Sequence, residues 1–99
     1  MDLKESYRWL RRAAEQGEAQ AMKAIAECCE QGMGTPADSP EAAFWASLAL
    51  AHFEDDRAGP EFKALQDMRS RLIAGLGPDQ VKAFEVRVQT WKPRPEKKP

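Results

Sequence analysis

Displaced by 36 residues, the chain matches itself: Asp2 falls on Asp38, Glu5 on Glu41, Trp9 on Trp45 and Ala13 on Ala49. Two of the chain's three tryptophans are among these pairs. A unit of that length, holding two helices, cannot bury its apolar face alone and gains a core only by stacking on a neighbour. The expected fold is therefore all-α, a helical-hairpin repeat of the solenoid kind with about five helices. Composition agrees: 16 alanines stand against 7 Val, Ile or Thr, a balance that favours helix over strand. The 99 residues amount to one domain with a modest core. With 42% hydrophobic and 31% charged residues, a collagenous or wholly disordered chain is excluded.

Helix starts share one pattern. Ser39-Pro40-Glu41, Gly59-Pro60-Glu61 and Gly77-Pro78-Asp79 each set a cap residue, then Pro, then an acid. Proline suits the first helical position because its missing N–H would have no partner there. The acid meets the positive end of the helix dipole. Gly17, Gly32 and the Gly75–Gly77 stretch mark stops. Between these marks apolar residues recur at helical spacing: Tyr7, Leu10, Ala13 and Ala14 with Trp9 beside them, then Ala21, Ile25 and Cys28 or Cys29. They continue as Phe44, Trp45, Leu48 and Ala49, then Phe62, Leu65, Met68, Leu72 and Ile73, then Val81, Phe84, Val88 and Trp91. This predicts helices at about 3–16, 18–31, 40–53, 60–74 and 78–91.

The stretch Trp9-Leu-Arg-Arg-Ala-Ala-Glu-Gln-Gly17 resembles the closing helix of a Sel-one-like repeat, a relative of the tetratricopeptide repeat. Ala19, Ala21, Ile25 and Ala26 fit the next unit. So do the turn Gly32-Met33-Gly34-Thr35-Pro36-Ala37-Asp38 and then Ala42 and Trp45. Cys29 stands where that family usually has Tyr, Ala26 replaces a common Gly, and Phe53 stands where the unit should end in Gly. The resemblance implies an all-α, tetratricopeptide-like helical-hairpin repeat (alpha-alpha superhelix), and it divides residues 1–91 into a half repeat (2–17), a full repeat (18–53) and C-terminal capping helices (54–91). A basic, Pro-rich, disordered tail (92–99) follows. Small residues (Ala13, Ala14, Ala21, Ala42, Ala49) let helices approach closely, and Trp9 and Trp45 are expected to fill the gap between hairpins. Because the first repeat lacks its opening helix, an apolar face is expected to remain uncovered around Tyr7 and Leu10. That face is a homodimer surface, a partner surface or the cut edge of a longer protein.

Charge is uneven. Residues 92–99 carry +3 and residues 1–91 carry −4. A body of that sign gives no reason to bind nucleic acid. The tail is either a solvated terminus or a contact for an anionic surface. No apolar run reaches the roughly 20 residues that span a bilayer, and the N-terminus lacks a secretory pattern, so a cytoplasmic chain without a membrane partner is expected.

Candidate sites are few. The polar positions of the second helix, Gln20, Lys23, Glu27, Glu30 and Gln31, form either a small groove for a partner or a solvated face with pairs such as Lys23–Glu27. Arg8, Arg11 and Arg12, with Lys4 one turn before Arg8, either dock an acidic partner or keep the face soluble. Gly32-Met33-Gly34 lacks the Lys-Ser/Thr of a phosphate loop. His52, the chain's one histidine, has no nucleophile spaced for it. Glu54-Asp55-Asp56 lacks the spaced ligands of a calcium loop. Adjacent Cys28 and Cys29 point about 100° apart on a helix, which disfavours a mutual bridge, and core packing is the role expected of at least one. No cofactor and no metal are expected. Arrays of this family act as adaptors and scaffolds, so the resemblance implies a non-enzymatic protein-interaction module of bacterial type, with a small inhibitor or immunity protein as a sub-case. The alternatives are a weak β-lactam-binding or -hydrolysing enzyme, as suggested for cysteine-rich relatives, and a structural C-terminal cap of a longer solenoid.

Overall fold

A computed structural model describes residues 2–53 and 59–93. Five helices account for most of them: α1 (Leu3–Glu15), α2 (Ala19–Gln31), α3 (Ser39–His52), α4 (Pro60–Ala74) and α5 (Pro78–Thr90). Among the described residues there is no strand. The boundaries agree with the sequence reading to within a residue.

The caps repeat with the register. Asp2 accepts from the Lys4 backbone N–H at 3.2 Å and Asp38 from that of Glu41 at 3.1 Å, so each carboxylate satisfies an amide that has no helical partner. The cap expected at Ser39 is thus one residue early, because Asp38 can both accept this bond and leave Ser39 and Pro40 in the first turn. Gly59 and Gly77 cap α4 and α5, directly before their prolines.

The turn between α2 and α3 depends on two glycines. Gly32 closes α2 in the left-handed region (φ 73°) and donates to the Cys28 carbonyl at 2.8 Å. Gly34 (φ 76°) lies under the start of α1, where a Cβ would sit 2.5 Å from the Leu3 carbonyl oxygen and 2.9 Å from Tyr7 Cβ. Only glycine lets the turn and α1 approach this closely. The Asp38 N–H then donates to the Cys29 carbonyl at 2.7 Å, tying the hairpin shut.

α3 is the central element. It packs on α2, α4 and α5, and Ala42 through Ala46, Leu48 and Ala49 are all buried. A helix that is apolar around its circumference needs neighbours on every side, and here it has three. Hydrogen bonds link the start of α2 to the start of α4 (Gln20–Glu61) and the end of α2 to the end of α4 (Glu30–Arg71). The two helices therefore run in the same direction. α4 and α5 each lean on α3 more than on each other.

Two expectations about α1 are corrected. Tyr7 and Leu10 pack against the core rather than forming an uncovered face. Trp9 does not fill a gap between hairpins: it is 64% exposed, whereas its repeat partner Trp45 is 1% exposed. Each helical residue turns by about 100°, so Trp9 faces away from the stripe Tyr7–Leu10–Ala14 that meets the core. The exposed large apolar side chains of α1 are Leu3 and Trp9. The expected disorder of the tail and the cluster Glu54-Asp55-Asp56 concern residues outside the described ones, apart from Lys92 and Pro93. Those two follow α5 in non-helical backbone, as Pro93 favours for itself and the residue before it.

Candidate functional site

The repeat sets two equivalent Glu–Trp pairs, one turn apart, on α1 and α3. On α3 the pair is closed. Trp45 Nε1 donates to Glu41 Oε2 at 3.1 Å, and Arg87 of α5 grips the same carboxylate with both Nη atoms, at 2.7 and 3.3 Å. Arg87 also lies 4.0 Å from the Phe44 ring centroid, and Arg11 of α1 lies 5.1 Å from that of Trp45. Burial opposes the Glu41 charge, but the Arg87 hydrogen bond and charge, with the Trp45 bond, more than offset it. The Glu41 carboxyl is held below the ordinary carboxylate value. Burial likewise opposes the Arg11 charge. The Tyr7 hydroxyl, to which Arg11 donates at 3.0 Å, and Glu15 at 3.4 Å reverse the balance, and its pKa is raised.

On α1 the pair is open. Glu5, Arg8, Trp9 and Arg12 line one shallow depression of about 310 Å³, with the Arg12 guanidinium 5.0 Å from the Trp9 ring centroid. The sequence cluster of three arginines is thereby divided. Arg11 serves the interior network, while Arg8 and Arg12 flank an exposed indole. Tryptophan and arginine are the residue types that carry most of the energy at protein interfaces.

The polar face expected on α2 is present but partly occupied from within. Gln20 donates to Glu61 at 2.7 Å, Glu30 accepts from Arg71 at 2.8 Å, and Lys23 pairs with Glu27 at 3.5 Å. Gln31 is exposed. Gln20 and Glu30 thus face α4, whereas Tyr7 and Leu10 lie elsewhere, against the core. The structure does not gather the seven candidates into one site.

Arg69 and Arg87 carried no signal in sequence, since their partners lie 22 and 46 residues away. Arg69 Nε donates to Ser47 Oγ at 2.6 Å and faces Glu85 at 3.7 Å, across a groove of about 540 Å³ bounded by α3, α4 and α5. His52 Nδ1 lies 3.0 Å from the Leu48 carbonyl, and its ring meets Trp91 edge-on at 5.1 Å. It thus has a packing role at the end of α3. Cys29 is buried, and burial, then Glu41, pushes its thiol up to about 11. Cys28 is half-buried and shifted the same way, again by burial first. Both are free thiols. Among the described residues no cluster of three or more His, Cys, Asp or Glu forms a metal-binding group. No helix of the described chain is long and apolar enough to cross a membrane.

No protein-family model matches the chain. No solved structure matches it either. A regulator is similar. The chitin synthase regulator SKT5 of the fungus Malassezia restricta is 39% identical over 79 residues, which make up 80% of this chain and 5% of that protein. The chain spans about a twentieth of the length of the relative it matches.

Proposed function

We propose that the chain is a non-enzymatic protein-interaction module of the Sel-one-like, tetratricopeptide-type repeat class, acting as an adaptor, scaffold or small inhibitor. The observation that carries this reading is the contrast between the two repeat-equivalent tryptophans. Trp45 is buried, with Arg11 over its ring and its indole N–H on the Glu41 that Arg87 holds, while Trp9, flanked by Arg8 and Arg12, faces solvent. A large apolar ring on an otherwise charged stripe has the composition of an interface centre. The helix order adds support: α2 and α4 run parallel with α3 between them, as consecutive hairpins of a solenoid do. So does the 39% identity to a protein named as a regulator. The partner is another protein, and the part played by the α2–α4 polar surface is to hold the helices in register.

Affinity purification of the tagged full chain from its source cells tests the reading, with Trp9→Ala as the comparison. The expected result is a protein retained by the wild-type chain and lost by the variant, with both chains equally helical. Hydrolysis of a chromogenic β-lactam by the purified chain, together with no specifically retained protein, would overturn it in favour of the enzymatic alternative.

A further inference from the structure

Because α4 and α5 each lean on α3 rather than on each other, an open groove of about 540 Å³ is left between them. Leu50 of α3 and Val88 of α5, both half-buried against the core, give it an apolar floor. Its two charges are satisfied from within: Arg69 donates to Ser47 at 2.6 Å and faces Glu85 at 3.7 Å. Gln66 and Ser70 of α4 and Gln89 of α5 differ from these. They line the groove, are exposed, and make no hydrogen bond among the described residues. The formal charge of the lining, one Arg against one Glu, is zero, so it draws neither an acidic nor a basic ligand. No aromatic ring lines it, so a nucleobase finds no platform to stack on.

Resting on the reading of the chain as an interaction module, we propose that this groove binds an uncharged, extended segment of a partner protein. The Gln66 and Gln89 carboxamides pair with its backbone, and a small aliphatic side chain rests on Leu50 and Val88. A carboxamide both donates and accepts, which suits the alternating N–H and C=O groups of an extended main chain. The Arg69–Glu85 pair spans from α4 to α5, so the gap is no wider there than two paired side chains. An extended strand, about 5 Å across, reaches the floor of such a gap, and a helix of about 10 Å does not. Gln66 and Ser70 are one turn apart, about 6 Å along the axis, close to the roughly 6.6 Å between alternate residues of a strand. Alternate side chains of the segment therefore point to the floor and to solvent.

The test uses the full chain, a display library of short random peptides, and nitrogen–proton NMR of the side-chain amides. Selection is expected to enrich peptides with an uncharged stretch that holds a small aliphatic residue. Adding such a peptide is expected to shift the side-chain amide signals of Gln66 and Gln89. Gln66→Ala and Gln89→Ala, both at exposed positions, are each expected to weaken it about fivefold, the worth of one hydrogen bond. Lys63→Ala, exposed elsewhere on α4, is expected to leave binding unchanged, and circular dichroism checks that every variant keeps its helices. Methylating the central backbone amides of the peptide is expected to weaken it about tenfold, while lysine is tolerated at every second position, the period of a strand. Added salt is expected to change little, because the segment carries no charge. Charged or helical peptides, or binding that ignores both glutamine variants and backbone methylation, would overturn the groove proposal. It is equally overturned if every selected peptide leaves the Gln66 and Gln89 signals in place, or if those signals move with protein concentration alone, since the occupant is then a second copy. A protein retained in the affinity purification keeps the module reading standing whichever way the groove answers.

Discussion

Replacing each repeat-equivalent tryptophan by alanine separates their environments most sharply. Trp45 is 1% exposed, so Trp45→Ala removes a fully enclosed ring, a change that costs about 3–5 kcal/mol in other cores. It also removes the indole N–H from the half-buried Glu41. At Trp9, 64% exposed, only about a third of the side-chain area is withdrawn from water. Full burial of an aromatic side chain removes about 150–250 Å², so a third of it is worth about 1–2 kcal/mol. The Arg12 contact adds about 0.5 kcal/mol, and the better helix propensity of alanine subtracts a similar amount. The variants should differ by about 2–3 kcal/mol, which moves the urea midpoint by about 1–3 M at typical slopes. Circular dichroism during urea titration measures it. Should Trp45→Ala prove too unstable for a baseline, Trp45→Phe keeps most of the ring and loses the indole donor, and a loss of about 1–2 kcal/mol is expected. Equal midpoint shifts for Trp9→Ala and Trp45→Ala would refute the argument.

Three further outcomes follow from named contacts. Gly34→Ala places a Cβ against the Leu3 carbonyl in the left-handed region and should cost about 2 kcal/mol or more by urea titration. Gly32→Ala, whose nearest neighbour is 3.4 Å away, should cost only about 1 kcal/mol. Glu41 is held below its ordinary value of 4.5, so the stability it contributes is fully present above that pH and is lost as pH falls through the folded-state value. The gap in urea midpoint between wild type and Glu41→Gln should therefore be full at pH 7 and shrink below about pH 4.5; a gap that widens toward acid would contradict the Arg87–Glu41 clamp. With the Cys29 thiol pushed to about 11 inside the core, a thiol reagent at pH 8 should modify Cys29 only on unfolding and Cys28 slowly. Two thiols reacting at once under native conditions would be the contrary result.

The fold was legible because its signals are local. The Pro-acid starts, the glycine stops and the 3.6-residue spacing fix five helices without any knowledge of their packing. The 36-residue register also predicted equivalent roles for Trp9 and Trp45, and here locality failed. Whether a ring is buried depends on what other elements cross it: the arginine over Trp45 comes from α1 and the ring is enclosed by the packed helices, whereas the arginine over Trp9 comes from its own helix and leaves the ring 64% exposed. For the same reason Arg87 and Arg69 went unnoticed, since their partners are distant in sequence and no periodicity announces them. The polar face of α2 was legible as polar, including the Lys23–Glu27 pair. That Glu30 and Gln20 point toward α4 became visible only once the two helices were seen side by side.

Trp9 on α1 is open and Trp45 on α3 is closed, and the proposed recognition surface is the one that holds Trp9. Two-dimensional nitrogen–proton NMR gives one indole signal for each of Trp9, Trp45 and Trp91. When the protein retained in the affinity purification is titrated in, the Trp9 signal should move or broaden first while the Trp45 signal stays in place. Changes confined to Trp91, or none at any indole while the complex forms, would contradict it.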